Sequence, residues 1–435
     1  MRRALFIIGS LLLSSRALAG PEDSLGASPR SMALSGSYAA RPGDSAAAYY
    51  NPAGLAPGRA LGESERGGFF EGSFALTLAH PTLHATRSDG ATVGTPSTPD
   101  TVGITLGTRF SLGRLFHIDG LDMGVHVFLP AHLFQWSIRP DDDPQWALLT
   151  DRTQVLSAHG GVAYRVTPWL SLGVGLRVSF GVQTLTKGVV TSLSLETDPV
   201  TGRSAVKTGT QLGTDAEVFA RVSPSAGVLV TPTERARIGL VYRHKSYVDD
   251  WGNTRISGVP DIGDIGYTHH YAHFFEPSEV SMAIGYDLTR ALDVSCDLTW
   301  NRWSEALGTN RNDLTGSAIW GDTWTPAVGA RLRPATMLAI MAGYRFQRSP
   351  LDNFGGPSNL LDADRHVVGL GFELNLGGHA RATFGLQSTS LVTRTETKDA
   401  RLFTSDAALH KNAAYPAYSY GGHVLATSIG VEGRW

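Results

Sequence analysis

The chain has 435 residues, of which 17% are charged, and its formal net charge is −2 at pH 7. No basic block stands out, so the charge balance argues against nucleic acid as a partner. The single cysteine, Cys296, cannot form an intramolecular disulfide, which excludes a secreted domain held together by disulfides. Glycine is abundant, at 50 residues, and apolar residues are dispersed, as is typical of a strand-rich chain.

The first residues have the pattern of a secretory signal. Arg2 and Arg3 precede an apolar run over 4–13, and Ala17-Leu18-Ala19 forms a cleavage site of the A-x-A type. The apolar run is shorter than the roughly 20 residues that a membrane-spanning helix needs. We therefore predict a signal peptide over residues 1–19 and export of the remainder.

Residues 20–67 lack the alternation that follows them. This segment is rich in Gly, Ala and Ser, and it contains the run Asn51-Pro52-Ala53-Gly54-Leu55. Small residues allow close packing against other backbone, as a segment inside a narrow barrel requires. We therefore separate residues 20–67 from the strands that follow.

From about residue 68 onward, apolar and polar residues alternate with a period of two. In 170–182 the even positions are apolar and the odd positions small or polar, which indicates a strand longer than the ~9–11 residues that cross a membrane. Short turns and long polar loops alternate between such segments. The pattern predicts an all-β fold for 68–435, a fourteen-stranded antiparallel transmembrane barrel in a bacterial outer membrane. The predicted strands are 68–79, 101–110, 121–134, 154–165, 170–185, 216–230, 237–248, 276–286, 292–304, 323–332, 337–349, 364–376, 381–395 and 419–435.

Aromatic residues support a membrane location for these strands. The last strand alternates and ends at Trp435, which shares its apolar face with Ile429 and Val431. Transmembrane barrels carry aromatic belts where strands meet the interface. The residues that we assign to such belts are Tyr164, Trp169, Tyr242, Tyr286, Trp300, Trp303, Tyr344 and Phe346.

Four segments give the chain a resemblance to a known family. They are Asn51-Pro52-Ala53-Gly54-Leu55, 238–243, 300–304 and 342–350. In these the chain resembles the FadL-type (TodX-like) outer-membrane transport family. The resemblance implies a fourteen-stranded barrel closed by an N-terminal hatch. Residues 20–67 would then be the hatch and its lead-in, with the hatch itself over 20–60 and Asn51, Pro52, Ala53 and Gly54 in its motif. It also implies passive uptake of hydrophobic small molecules, either long-chain fatty acids or aromatic hydrocarbons, with lateral release into the bilayer.

Candidate substrate contacts fall into two groups. Leu133, Phe134, Trp136 and Trp146 could capture an apolar solute on the loop around 135–153, or they could pack that loop or the interfacial belt. Arg177, Arg243 and Arg345 face the lumen by parity and could pair with a substrate carboxylate. Alternatively, these arginines form ion pairs with the lumenal acids Asp293, Asp297 and Glu373, or they anchor the hatch.

Other functions stay open at this point. A general porin, a structural barrel or an outer-membrane lipid hydrolase could use the same architecture. His269, His270 and His273, or Asp141 to Asp143, could bind a metal or could be solvated loop residues. The sequence has no phosphate-cradling glycine loop and no paired-cysteine zinc site, so we expect no cofactor and no metal. The expected partners are an apolar substrate, outer-membrane lipid and lipopolysaccharide, and the expected state is a monomer.

Overall fold

The computed structural model describes residues 21–56, 69–87, 100–131, 146, 156–197, 204–259, 263–308, 319–353, 361–377, 379–397 and 417–435. For parts of these ranges, chiefly 181–219 and 247–274, it describes the backbone alone. The predicted signal peptide and the lead-in after residue 56 lie outside the described residues. None of the helices in these ranges is long and apolar enough to cross a membrane.

The strands form a closed antiparallel barrel, as the alternation predicted. The strands of the described ranges are β1 Phe70–Arg87, β2 Thr101–Phe110, β3 Leu121–Pro130, β4 Ser157–Thr167, β5 Leu170–Thr197, β6 Ser204–Val230, β7 Ala236–Arg243, β8 Ser246–Val259, β9 Gly263–Glu276, β10 Ser278–Asp287, β11 Leu292–Arg302, β12 Ile319–Trp320, β13 Thr323–Ala335, β14 Leu338–Gln347, β15 Leu351–Asn353, β16 Arg365–Asn375, β17 Ala380–Thr397 and β18 Ala417–Arg434. Neighbouring strands pair in the order β4-β3-β2-β1-β18-β17-β16-β14-β13-β11-β10-β7-β6-β5, and β5 pairs back with β4. The wall therefore has fourteen strands, which we call staves.

The two faces of each stave have opposite character. On β5, Leu172, Val174 and Leu176 point outward and are exposed, whereas Ser171 and Arg177 point inward and are buried. Such a surface is stable only where hydrocarbon covers the outward side chains. The barrel closes between its first and last strands, where the backbones of Phe70 and Trp435 exchange two hydrogen bonds of 3.1 and 2.9 Å.

Most predicted belt residues lie on the outer face, but Trp303 does not. Tyr164, Trp169 and Tyr242 are each more than 40% exposed, whereas Trp303 is 3% exposed. Trp303 has the inward parity of Asp297 on β11, and its ring stacks on Trp320 with the centroids 5.5 Å apart. Its assignment to the interfacial belt was therefore wrong.

Two predicted long loops, 186–215 and 249–275, are instead largely extended hairpins. β5 and β6 continue as a ladder from the wall out to Thr197↔Ser204, and β8 and β9 form a second hairpin. β-branched residues such as Val189 and Thr191 favour the extended backbone. Polarity alone led to the loop assignment, although a hairpin above a membrane also has polar faces.

The ladder between β6 and β7 is short and ends at Ser225↔Arg243. Beyond it, residues 244–246, which we call the strap, cross the inner face of β6. The Ser223 hydroxyl donates to the carbonyl of Lys245, and the hydroxyl oxygens of Ser246 and Ser179 on β5 lie 2.9 Å apart. β8 then pairs in parallel with β5 over Gly252–Ser257. We call the break between β6 and β7 the seam.

Residues 21–56, the N-terminal segment, lie inside the barrel. They form α1 (Pro21–Leu25), α2 (Pro29–Ala33), α3 (Ala47–Tyr50) and a 3-10 turn (Pro52–Leu55), while α4 (Leu112–Phe116) lies in the turn after β2. Inward-facing glycines admit this backbone. A Cβ added to Gly173 on β5 would lie 2.3 Å from the nitrogen of Ala53, and one on Gly343 of β14 would lie 2.2 Å from the carbonyl carbon of Leu34.

Candidate functional site

The Asn51-Pro52-Ala53-Gly54 run fastens one end of the N-terminal segment. The Asn51 side chain donates to the carbonyls of Ala39 (3.0 Å) and Val228 on β6 (3.2 Å), and it accepts from the nitrogen of Ala53 (3.1 Å). Asn51 thereby caps the 3-10 turn that starts at Pro52, where proline loses no backbone bond. The motif links the plug to itself and to the wall.

A buried ion-pair hub fastens the opposite side. The Nε atom of Arg30 donates to Glu373 on β16 at 2.9 Å, and Arg331 and Arg381 reach the other carboxylate oxygen at 2.9 and 3.3 Å. Glu373 is 1% exposed and Arg30 is 5% exposed. Charges this deeply buried persist only when they are paired, so the hub fixes α2 against the wall.

Further contacts hold the middle of the segment. Asp297 on β11 accepts from the Ser37 hydroxyl (2.9 Å) and from the nitrogens of Tyr38 and Ala39 (3.1 and 2.9 Å). Arg41 pairs with Asp287 at 2.6 Å. The N-terminal segment is thus anchored by side chains from several staves.

The first helix lies against a pair of buried histidines. Glu22 is 3.3 Å from the Nε2 atom of His159, and the Ser157 hydroxyl also donates to its carboxylate. His126 is the cross-strand partner of His159, and neither of its ring nitrogens has a hydrogen-bond partner in the part of the chain that the structure describes. No group of three His, Cys, Asp or Glu side chains among the described residues is placed to hold a metal ion.

A small polar cavity remains between the N-terminal segment and the wall. Its volume is about 50 Å³, and its lining includes four carboxyl groups and two guanidinium groups. A dry cavity of about 150 Å³ is the size that holds benzene, so this cavity has no room for even a small aromatic solute. The charged lining residues are Glu22, Asp23, Glu279, Asp297, Arg243 and Arg345.

The three predicted arginines point inward but have different surroundings. Arg177 pairs with Glu276, and Arg243 pairs with Glu279. Arg243 also donates to the carbonyl of Tyr49 at 2.7 Å and lies 4.4 Å from the centre of its ring. Arg345 lines the cavity, and in the described ranges no carboxylate lies within ion-pair distance of it.

Of the four predicted capture residues, only Trp146 falls in the described ranges. Leu133, Phe134 and Trp136 lie outside them. Trp146 is 2% exposed and contacts the ring of Tyr420 edge to face, with centroids 5.4 Å apart. Its indole therefore fills an apolar site instead of projecting into solvent.

Several lumenal residues were not predicted from the sequence. Arg30, His126 and Trp320 gave no signal because each is unremarkable among its neighbours in sequence. Inward parity on an otherwise apolar strand is the one signal that marks a buried acid such as Glu71.

The fold and the filled lumen define a class: an outer-membrane β-barrel whose own N-terminal segment occupies its interior. The sequence profile of the outer membrane transport proteins described as OMPP1/FadL/TodX matches residues 147–425. The chain belongs to this family, which consists of outer-membrane transporters of hydrophobic compounds and not of enzymes. No curated protein matches the chain in sequence.

Solved structures share the fold at low sequence identity. The toluene transporter TodX of Pseudomonas putida aligns at 13% identity and a TM-score of 0.58, covering 94% of this chain and 98% of that one. A FadL homologue of Pseudomonas aeruginosa aligns at 13% identity and 0.56, covering 97% and 98%. The toluene transporter TbuX of Ralstonia pickettii aligns at 17% identity and 0.55, covering 94% and 98%.

Proposed function

We propose that the protein is a channel for passive uptake of hydrophobic small molecules, long-chain fatty acids or aromatic hydrocarbons, and that the N-terminal segment acts as a hatch that must move for transport. The observation that carries this proposal is the lumen itself. Residues 21–56 fill it and leave a cavity of about 50 Å³. An apolar solute gains roughly 25 cal/mol for each Å² removed from water, so a filled lumen with transient apolar contacts suits such a solute better than an open aqueous pore does.

Disulfide staples test the hatch directly. Ser37 and Ser295 on β11 have hydroxyl oxygens 2.9 Å apart, as do Ser45 and Ser73 on β1. Paired cysteines at either site can therefore bridge the segment to the wall. In a Cys296→Ala background, oxidised Ser37→Cys/Ser295→Cys and Ser45→Cys/Ser73→Cys proteins should take up radiolabelled toluene or decanoate at least tenfold more slowly, and reduction should restore the rate.

A matched control uses a pair that joins two wall strands. The hydroxyl oxygens of Thr77 on β1 and Ser428 on β18 are also 2.9 Å apart, within a regular ladder. The Thr77→Cys/Ser428→Cys staple should leave uptake unchanged. Uptake that is indifferent to both hatch staples would refute hatch gating.

The seam between β6 and β7 supports lateral release. Arg243, the last residue of β7, lines the lumenal cavity, and beyond it β6 no longer pairs with β7. Val222 and Pro224 on the outer side of the seam are exposed to the lipid face. A solute in the cavity would reach hydrocarbon here once the strap moved, without returning to water.

Stapling the strap tests this exit. Ser179→Cys/Ser246→Cys would tie the strap to β5 across a contact of 2.9 Å. The oxidised protein should still bind substrate but should release it into the outer membrane at least tenfold more slowly, whereas the Thr77→Cys/Ser428→Cys protein should not change. Normal release from the stapled protein would exclude the seam as the exit.

The charges of the cavity bear on the choice of substrate class. Its four carboxyl groups outnumber its two guanidinium groups, so its charge balance disfavours an anionic substrate more than a neutral one. Arg345 is the group that would receive a carboxylate if fatty acids are carried. Arg345→Met should slow decanoate uptake and spare toluene uptake in the fatty-acid case, and should spare both in the hydrocarbon case.

The leading alternative is a general porin. A filled lumen argues against it, and steady ion conductance of the intact protein in planar bilayers would support it. We further propose that the chain acts as a monomer within outer-membrane lipid and lipopolysaccharide, because exposed apolar side chains occur on staves all around the barrel.

A further inference from the structure

An apolar slot lies at the outer end of the barrel on the side of the first and last strands. Its walls come from three strands and from the residues just before β16. The Trp146 indole occupies the slot, together with the packed residues Leu83, Ala85, Leu361, Ala363, Leu391, Tyr418 and Tyr420. This is a buried aromatic and aliphatic cluster, unlike the charged cavity on the opposite wall.

The walls of the slot are braced independently of Trp146. The Tyr420 hydroxyl lies within hydrogen-bond distance of the carbonyl of Asp362 (3.1 Å) and of the carboxylate of Glu396. Arg365 pairs with Asp362 at 2.6 Å, and Arg394 pairs with Glu396 at 2.7 Å. These contacts join the walls of the slot to one another without involving the indole.

The slot faces the lumen and leads down to the hatch. In the regular β1–β18 ladder, Ala85↔Tyr420 has the same parity as Ala79↔Ala426 and so points inward. Ala79 and Ala426 pack with Leu25 and Met32 of the N-terminal segment, with Val424 beside them. Val424 is paired with Pro81, which is two residues from Leu83 on the same face of β1. Apolar side chains therefore line this wall from the outer rim to the hatch.

We propose that the slot filled by Trp146 is the outer binding site of the channel, and that it takes a planar aromatic hydrocarbon, which binds by exchanging with the indole. This inference rests on the proposed uptake function and names its substrate class. In this proposal the Trp146 indole competes with the substrate for the slot and does not contact the bound substrate there.

The aromatic contact inside the slot favours a ring over a chain. Ala85 and Ala363 are the smallest residues of the cluster, and the indole contacts the Tyr420 ring at an interplanar angle of 82°. Edge-to-face contact with another ring is favourable beyond simple burial, and an alkyl chain cannot make it. The exchange buries one ring and exposes another, so binding is weak and reversible, as passive uptake requires.

Fluorine NMR of the whole protein in lipid nanodiscs tests the exchange without any transport step. The protein carries 5-fluorotryptophan, and Trp146→Phe and Trp303→Phe assign the two resonances of interest. Toluene should shift the Trp146 resonance toward its solvent-exposed position in a saturable manner. n-Heptane, which has the same number of carbons, and heptanoate should not. A Trp146 resonance that toluene leaves in place up to its solubility limit would overturn the exchange, and displacement by heptane would overturn the choice of a ring.

Uptake measurements give a second readout. Removing the competitor in Trp146→Ala should lower the half-saturating toluene concentration about tenfold, since binding would no longer be in competition with the indole. Refilling the slot in Trp146→Ala/Ala85→Phe should reverse this gain. An unchanged half-saturating concentration in Trp146→Ala would count against the site. Because the NMR shift needs no working hatch, its failure is distinguishable from failure of the staple experiments.

Discussion

Arg30 and Glu373 meet inside the barrel although 343 residues separate them in sequence, and the Nε atom of Arg30 donates to the Glu373 carboxylate at 2.9 Å. One partner belongs to the N-terminal segment and the other to β16. The pair therefore couples the stability of the plug to that of the wall, so variants that loosen the plug should also show in the unfolding of the barrel.

Glu373→Gln should destabilise the protein strongly. The change keeps the shape of the side chain but leaves Arg30, Arg331 and Arg381 without the carboxylate that they share. Losing one partner of a buried ion pair costs roughly 3–5 kcal/mol. Chemical denaturation in detergent measures the loss, and the exposed Glu234→Gln should cause none. Equal behaviour of the two variants would show that the hub contributes nothing.

Asn51→Ala should loosen the hatch. The carbonyls of Ala39, which is buried, and of Val228, which is partly buried, lose a donor, and the nitrogen of Ala53 loses its acceptor. An unsatisfied buried polar group costs about 1–3 kcal/mol, so we expect a lower melting temperature and new conductance in planar bilayers. Asn375→Ala, which removes one exposed hydrogen bond to Thr336, is the control. A variant with native melting and no conductance would contradict the fastening role of Asn51.

Gly173→Ala and Gly343→Ala should displace the N-terminal segment without breaking the barrel. The added methyl groups would lie 2.3 and 2.2 Å from hatch backbone atoms, which cannot yield as a flexible side chain can. Overpacking of this kind costs about 1–3 kcal/mol. Gly160→Ala, where a Cβ meets nothing within 4 Å, is the matched control. Protease access to residues 21–56 reports the displacement, and resistance equal to that of the control would disprove it.

Arg243→Met and Arg345→Met should differ in stability. Arg243 pairs with Glu279 and bonds to the carbonyl of Tyr49, so its loss should cost roughly 3–5 kcal/mol. Arg345 is half-buried and has no ion pair in the described ranges, so its removal leaves no carboxylate without a partner and also removes part of a desolvation penalty. Thermal melts in detergent should therefore show a large loss for Arg243→Met alone. A comparable loss for Arg345→Met would make Arg345 a hatch anchor.

The wall was predictable because alternation is a local signal. On β5, apolar side chains such as Leu172 alternate with small or polar ones such as Ser171, because one face meets lipid and the other meets the lumen. Turn residues mark where each stave ends, so the number of staves could be predicted from the sequence. Trp303 shows where two local signals disagree. Its parity indicated an inward side chain, whereas its residue type suggested the interfacial belt. Parity was the better guide because Trp303 follows directly on the last residue of β11 and begins a 3-10 turn on the lumenal side.

The interior was harder to predict because its contacts join distant segments. The sequence placed Arg243 and Arg345 in the lumen, yet it could not show that one contacts Tyr49 and the other lines the cavity. It pointed to Asp293, Asp297 and Glu373 as partners, and the structure pairs these acids with residues of the N-terminal segment or of neighbouring strands. Such pairings depend on the radius of the barrel and on where the plug sits, and neither is encoded locally.

The bond between β1 and β18 has a consequence for assembly. Since the ring is completed only when Phe70 meets Trp435, the cylinder stays open along one edge until the end of the chain arrives. Because the backbone of the N-terminal segment lies directly against wall glycines such as Gly173 and Gly343, we expect this segment to enter the barrel before β1 and β18 pair.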